Sequence, residues 1–162
     1  MVLPRWVAGA NPKRTAMRAA VMIGLAFVVF GYLLLPVRGI GISMEPTITQ
    51  GDLVFISRLS YRFRDPKRVE VVAVRIAGNS VVLVKRIVAL PGELVGFRAG
   101  VLHINGTPLD EPYVKNQSDW DLVDGPLGDG EYFVVGDNRT MPMRLHEMGA
   151  ASRQRLIGPT LF

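Results

Sequence analysis

The hydrophobic pattern divides the chain into one long apolar run and a series of short segments with strand-like periodicity. Residues 19–35 carry no charge over 17 positions, and the uncharged run extends to Val37. This is just long enough to cross a bilayer as a helix. Residues 1–18 are polar and basic and contain Pro4 and Pro12, so they are predicted to form a mostly unstructured arm.

Two alternatives to a membrane anchor fit the apolar run less well. A cleaved signal peptide has a shorter apolar core with a small-x-small site after it, and no such site follows Leu33-Leu34-Leu35-Pro36. A buried core helix would have a polar face, which this run lacks. The sequence therefore predicts an uncleaved transmembrane anchor over residues 19–37.

Beyond the anchor, the pattern changes to alternation and short β-branched runs, which predicts an all-β domain over residues 39–162. The dipeptide Asn105-Gly106 is a strong signal for a two-residue hairpin. Residues 115–130 are polar and rich in aspartate and glycine, so a long loop is expected there. No convincing amphipathic helix is visible in this domain. Strands are predicted over residues 53–56, 69–76, 81–90, 94–97, 101–104 and 131–135, with a turn at 77–80.

The basic charge of the chain lies around the anchor. The net charge is +5 and the pI is about 10.0. From Gly39 onward there are 14 Lys and Arg against 14 Asp and Glu, and no acid precedes Glu45. This distribution argues against a nucleic-acid partner. Since four basic residues precede the run and only Arg38 follows closely, the N-terminus is expected in the cytoplasm and the β domain outside it.

The chain has no cysteine and only two histidines, His103 and His146. Disulfides, thiolate metal sites and a cysteine nucleophile are therefore excluded. A histidine-rich metal site is not expected either, and neither a metal nor a cofactor is predicted.

A single serine follows the anchor in the stretch GIGISMEPT, residues 39–47. The two glycines permit sharp backbone conformations before Ser43, and Pro46 stiffens the chain after it. Such a stretch presents a side chain outward, but an ordinary loop that leads into a strand would have the same residue pattern. Lys85 shares one face of a predicted strand with apolar neighbours. Burial there would favour the neutral amine, which is a base, whereas a lysine on an edge strand would extend its amine into water.

Four ordered motifs resemble the conserved boxes of bacterial type I signal peptidases. They are residues 41–47 (GISMEPT), Gly51-Asp52, residues 85–93 (KRIVALPGE) and residues 136–139 (GDNR). The segments Asn105-Gly106 and DEPYV at 110–114 also resemble the connecting hairpin of that family. The resemblance runs from about residue 40 to 139, with the anchor in the expected place before it.

The resemblance implies a membrane-anchored serine endopeptidase with a coiled β-sheet domain behind one transmembrane helix. Ser43 is the implied nucleophile and Lys85 the implied general base, in place of a Ser-His-Asp triad. The Ser43 N–H is an implied oxyanion donor, and Gly41 offers only its backbone where many members carry a hydroxyl. Substrate is implied to lie extended beside the lysine strand. Candidate pocket residues, for which plain core packing is an equal alternative, are Ile42, Met44, Val82 and Val84.

The last box departs from the family after Gly136-Asp137-Asn138-Arg139. The family typically continues with a Ser-x-Asp-Ser-Arg element that helps to orient the lysine, whereas residues 140–146 read TMPMRLH. Asp137 is expected to pair with Arg86, with Asn138 and Arg139 as further supporting residues. His146 is a candidate replacement for the missing polar partner, or an alternative base for Ser43.

The function that the resemblance implies is removal of N-terminal signal peptides from exported proteins at the bacterial cytoplasmic membrane. Preproteins and membrane lipid are the expected partners, and the oligomeric state stays open. A dedicated peptidase that matures a pilin precursor for conjugative transfer is an alternative within the same fold. The alternative from another class is a membrane-tethered β-module that has lost catalysis with the altered last box.

Overall fold

A computed structural model describes residues 11–76 and 81–161 of the chain. The predicted turn at 77–80 and most of the predicted arm lie outside these residues. The described part consists of one N-terminal helix followed by eleven β-strands and three short helical turns.

The N-terminal helix begins earlier and ends earlier than the sequence predicts. Helix α1 covers Pro12–Val28 and continues through one π-helical segment, Val29–Leu33. Its start is stabilised by Asn11, whose side chain accepts a hydrogen bond from the Arg14 N–H, and by a proline at the first helical position. The prediction of an unstructured arm up to residue 18 is therefore wrong for the described residues from 12 onward.

The C-terminal end of the predicted anchor belongs to the sheet. Leu34–Arg38 forms strand β1, which pairs with β2 from Leu34↔Ser57 to Arg38↔Leu53. Pro36 explains the change, because proline disrupts a helix interior but is tolerated in an edge strand. The helical segment Pro12–Leu33 has 22 residues, a mean hydropathy of 1.9 and no buried residue. It is about 33 Å long, against a hydrocarbon core of about 30 Å, so it is long and apolar enough to cross a membrane.

Six strands lie where apolar periodicity predicts them, to within two residues at each end. Strand β3 differs most from its prediction: it begins at Val71, two residues later than expected, because Val69 takes a positive φ of 72° in the preceding turn. The hairpin at Asn105-Gly106 is present, with both residues at positive φ. The six strands are β2 Leu53–Ser57, β3 Val71–Ile76, β4 Val81–Ala89, β5 Leu94–Arg98, β6 Val101–Ile104 and β9 Glu131–Val135.

The remaining strands are not visible as periodic patterns. Residues 115–130 contain β8 Leu122–Pro126, so the predicted loop is interrupted by a strand. The three short helical turns were not predicted either. They are α2 Ser60–Phe63 and the 3-10 turns Met143–Leu145 and Arg153–Arg155. The other unpredicted strands are β7 Thr107–Pro108, β10 Gly149–Ser152 and β11 Leu156–Leu161.

The strands form two antiparallel sheets. The first has the order β1-β2-β11-β3-β4-β9-β10, and the second has the order β7-β6-β5-β8. This confirms the predicted all-β fold with one N-terminal apolar helix. One apolar cluster, which includes Met44, Val54, Ile56, Val71 and Ala73, packs the segment after β1 against the first sheet. A second cluster around Phe97 and Trp120 lies under the second sheet.

Candidate active site

Ser43 lies in the irregular segment between β1 and β2. Gly41 takes a φ of +92°, a conformation that a side chain would strain, and the Glu45 N–H donates to the Ile42 carbonyl to close a turn. Met44 is buried in the apolar cluster that includes Val71 and Ala73, so it fixes the turn while Ser43 stays partly exposed. Within the described residues, neither the hydroxyl nor the N–H of Ser43 has a hydrogen-bond partner. Both groups are therefore free to react or to donate.

Lys85 lies in the middle of β4, opposite Val72 of β3. Its side chain is turned inward, and the residue is only 2% exposed. Burial lowers the pKa of the Lys85 amine, and the negative charge of Glu147 partly opposes this shift. No hydrogen bond of its amine is present in the described part of the chain. The lone strand lysine is therefore packed inside the domain, and this burial favours the neutral form of its amine.

The segment after β9 connects the two candidate catalytic residues. Strand β9 pairs with β4 at Val135↔Arg86, directly beside Lys85. Three residues further along the chain, the Asn138 N–H donates to the Ser43 carbonyl at 3.0 Å, and the Asn138 side-chain amide donates to the Ile42 carbonyl at 3.0 Å. The hydrogen bonds of Asn138 thus hold the turn at residues 42–45, here called the serine turn, against strands β4 and β9.

A buried ion pair reinforces this connection. Asp137 accepts hydrogen bonds from Arg86 Nε at 2.8 Å and Nη2 at 2.6 Å, which makes the pair bidentate. The Thr47 hydroxyl also donates to Asp137, and the Tyr113 ring lies 3.9 Å from the Arg86 guanidinium. The expected partnership of Arg86 and Asp137 is therefore present. It links the residues that follow Ser43 to the residue that follows Lys85.

Arg139 ties the same segment to the second sheet. It is almost fully buried, donates to the Gly136 carbonyl at 3.0 Å and pairs with Glu111 through both terminal nitrogens. Its guanidinium also lies near the rings of Phe97 and Trp120. Sequence reasoning did not assign a role to Glu111, Thr47 or Tyr113, although Glu111 and Tyr113 belong to the DEPYV segment.

An apolar groove of about 260 Å³ runs beside Ser43 and the first half of β4. Three of the four residues expected to form a pocket line it: Met44, Val82 and Val84. The fourth, Ile42, is 44% exposed and is not part of the lining. Gly41 and Ser43 also line the groove. Most of the residues that line the groove are apolar.

His146 lies under the serine turn, although it is far from Ser43 in the sequence. It is 5% exposed and packs edge-on against Trp120, with the ring centroids 4.9 Å apart. Burial lowers its pKa to about 4, with further contributions from the charges of Lys85 and Arg139, and the backbone of Asn138 opposes the shift. The ring lies beside Gly136, where an added Cβ would be 2.9 Å from Nε2. Among the described residues, no cluster of side chains is suited to hold a metal ion.

Comparison with known proteins gives concordant matches. The sequence profile described as signal peptidase, peptidase S26, matches residues 13–162. The probable signal peptidase I-2 of Synechocystis sp. is 35% identical over 122 residues, which are 72% of this chain and 56% of that protein. Signal peptidase I V of Bacillus subtilis is 28% identical over 152 residues, which are 85% of this chain and 90% of that protein.

One solved structure and the lengths of the relatives complete the comparison. A crystal structure of a signal peptidase I from Enterococcus faecalis aligns with a TM-score of 0.47 and 27% identity, over 59% of this chain and 97% of that chain. The chain spans 56% and 65% of the lengths of two relatives from Synechocystis.

Proposed function

Because the chain belongs to the signal peptidase, peptidase S26, family, we propose that it is a membrane-anchored serine endopeptidase that removes N-terminal signal peptides from exported proteins. Ser43 is the nucleophile and Lys85 the general base. The observation that carries this proposal is the buried residue Lys85, whose amine has no hydrogen-bond partner among the described residues, on the strand that borders the groove of Ser43. A neutral amine in that position can accept the serine proton without a histidine.

The first half of the reaction transfers the signal peptide to the enzyme. The Ser43 oxygen attacks the scissile carbonyl carbon while its proton passes to the Lys85 amine. The resulting oxyanion accepts a hydrogen bond from the Ser43 N–H, with the backbone at Gly41 beside it. The carbon–nitrogen bond then breaks, and Lys85 returns the proton to the leaving amine of the mature protein. The signal peptide remains as an ester on Ser43.

The second half repeats the proton transfers with water. Lys85 takes a proton from a water molecule, whose oxygen attacks the ester carbonyl. The carbon–oxygen bond to Ser43 breaks and the Ser43 oxygen takes the proton back from Lys85. The signal peptide leaves as a carboxylic acid, which releases the second proton of the water molecule to solvent. The amine, now without its proton, stays neutral more readily when its pKa is lowered, and burial lowers it.

The supporting residues act on the geometry of this reaction. Asp137 and Arg86 hold the serine turn on β4, Asn138 fixes the carbonyls of Ile42 and Ser43, and Arg139 holds the segment from below. Met44, Val82 and Val84 form the wall against which small substrate side chains pack.

Helix Pro12–Leu33 anchors the enzyme in the bacterial cytoplasmic membrane in this proposal. Lys13, Arg14 and Arg18 precede its uncharged part, which favours a cytoplasmic N-terminus and an extracytoplasmic catalytic domain. A cysteine introduced into the exposed hairpin at Gly106 of the cysteine-free chain should react with an impermeant maleimide on intact spheroplasts. Protection until the membrane is opened would contradict this orientation.

The proposed function is tested by cleavage of a panel of preproteins and one pilin precursor by the detergent-solubilised protein. We expect cleavage after small residues, lost in Ser43→Ala and in Lys85→Ala and retained in Lys67→Ala, which removes an exposed lysine. Cleavage of many unrelated preproteins would support the general enzyme, and cleavage of the pilin precursor alone would support a dedicated peptidase. A wild-type protein that cleaves nothing would support a non-catalytic module.

A further inference from the structure

We propose that a polar pocket beside the serine turn binds the first residues of the mature protein, and that Glu45 and Lys115 select the charge of those residues. The pocket has a volume of about 270 Å³. The inference rests on the proposed function, because it assigns a place to the part of the substrate that follows the cleaved bond. The apolar groove is left for the signal peptide.

The polar pocket and the apolar groove adjoin different parts of the serine turn. Ser43 and Met44 line the groove, whereas Glu45 and the following Pro46 line the pocket, and no residue lines both. Glu45 is two residues from Ser43, so their Cα atoms are at most about 7 Å apart. Two residues of an extended peptide cover about the same distance. A substrate that is cleaved at Ser43 therefore reaches the pocket with its first or second residue beyond the cleaved bond.

The polarity of the pocket matches the mature side of the substrate. Pro46 is its only apolar lining residue, and the other lining residues carry a charge, an amide or a hydroxyl. The ends of a folded chain usually lie at its surface, where charged and polar residues predominate. The first residues of a mature exported protein are therefore better suited to this pocket than to the apolar groove.

Two of the four charged residues that line the pocket are free to contact a ligand. Asp137 and Arg139 are each held in a buried ion pair. Glu45 and Lys115, in contrast, form no ion pair and no side-chain hydrogen bond with any described residue, including each other. Glu45 is partly exposed and Lys115 is exposed. Lys115 thus attracts an acidic side chain of the substrate, and Glu45 attracts a basic one.

Asn138 fixes the pocket relative to the proposed nucleophile. It lines the pocket, and its backbone N–H donates to the Ser43 carbonyl while its side-chain amide donates to the Ile42 carbonyl. The Thr140 hydroxyl, which also belongs to the pocket, donates to the Asn138 Oδ1 at 2.6 Å and orients this amide. A residue bound in the pocket is therefore held at a defined distance from the serine, as the geometry of the reaction requires.

Charge substitutions in the pocket test the proposal with two peptides that share one signal-side sequence. The peptides carry either Glu or Lys at the first two positions after the cleaved bond. The measurement is kcat/KM for each peptide with the full chain in detergent, with mass spectrometry to verify the cleaved bond. The result is expressed as the ratio of the Glu peptide to the Lys peptide. Because one enzyme preparation cleaves both peptides, a partial loss of folded protein cancels in this ratio.

We expect Lys115→Glu to lower the ratio about tenfold, because it replaces an attraction for acidic residues by a repulsion. Glu45→Gln should raise the ratio about threefold, since an exposed charge contact has effects of that size. Lys67→Glu is the matched control, because it makes the same charge change at an exposed lysine that does not line the pocket. Its ratio should equal that of the wild type.

An unchanged ratio in either Lys115→Glu or Glu45→Gln would overturn the proposal, because it assigns charge selection to both residues. An equal shift in Lys67→Glu would also overturn it, since the effect would then come from the net charge of the domain. In both cases, cleavage that is lost in Ser43→Ala would leave the proposed function intact. A wild-type protein that cleaves neither peptide, or a Ser43→Ala variant that still cleaves them, would refute the proposed function and the pocket's role with it.

Discussion

At the scale of single residues, Gly136 is the point on which the proposed site depends most. A side chain there would collide with the Ser43 carbonyl at 2.2 Å and with the edge of the His146 ring. The Ser43 carbonyl is also the acceptor of the Asn138 N–H, so the collision would strain a contact that positions the proposed nucleophile. Glycine is therefore required here by the close approach of neighbouring groups, since its φ is not in the positive region.

Gly136→Ala should lower kcat by about a hundredfold, because a displacement of the nucleophile by about 1 Å has effects of that order. Gly125→Ala is the matched control, since a Cβ at that position meets nothing within 4 Å. The measurement is the steady-state kinetics of peptide cleavage, with circular dichroism to verify the fold. An active Gly136→Ala variant would show that the serine turn is not held in place by this contact.

Some of this residue-scale chemistry could be predicted from the sequence. The inward direction of Lys85 follows from its alternation with Leu83 and Ile87, and its buried position agrees with that expectation. The burial of His146 could not be predicted, because it depends on contact with Trp120, which lies in a different part of the chain. The same is true of Glu111, whose partner Arg139 is 28 residues away.

At the scale of elements, the junction between α1 and β1 couples the proposed anchor helix directly to the β domain. The chain enters β1 at Leu34 immediately after the last helical residue. Arg58, the residue directly after β2, stabilises the junction: its side chain donates to the Gly31 carbonyl at 2.7 Å and its N–H donates to the Leu33 carbonyl at 2.9 Å. The rings of Phe30 and Phe55 pack alongside, 6.2 Å apart. No flexible linker separates the helix from the sheet.

This coupling predicts that the anchor sets the height of the active site above the membrane. Insertion of Gly-Ser-Gly between Leu33 and Leu34 adds a flexible span of about 9 Å. We expect cleavage of a membrane-inserted preprotein in liposomes to fall about tenfold. The groove would no longer be held at the height above the membrane where the cleavage site of the extended substrate lies. Cleavage of a soluble peptide in detergent should be unchanged.

The same insertion in the exposed hairpin between Asn105 and Gly106 serves as the control and should affect neither substrate. Equal loss toward both substrates after insertion at the helix junction would indicate damage to the groove, and equal retention would indicate that the height of the domain is unimportant. Either result would contradict the coupling.

The element-scale predictions from sequence succeeded where a segment carries its own pattern. Residues 81–90 are apolar except for Lys85 and Arg86, and β4 forms there. Strands such as β10, with the sequence GAAS, and β11, which contains Gly158 and Pro159, have no such pattern. They are strands because distant partners supply their hydrogen bonds: β10 pairs with β9, and β11 joins β2 to β3. A pattern within one segment cannot indicate such pairing.

At the scale of the whole molecule, the segment from Gly136 to Arg139 joins the two sheets at the proposed site. Asp137 binds Arg86 of the first sheet, and Arg139 binds Glu111 and contacts the cluster of the second sheet. Alternate residues thus connect to opposite parts of the domain, and Asn138 between them contacts the serine turn. Removing one member of a buried ion pair strongly lowers the free energy of unfolding. The two ion pairs therefore fix the segment on both sides.

The central claim is that a buried Lys85 amine activates Ser43, and the pH dependence of kcat/KM for one preprotein peptide tests it most directly. The amine acts only when neutral, and burial holds its pKa below the usual value of about 10.4. The account predicts that kcat/KM rises with pH through a single ionisation well below that value and then levels off. A rate that is flat with pH across that range, or one that still rises unchanged in Lys85→Ala, would contradict it.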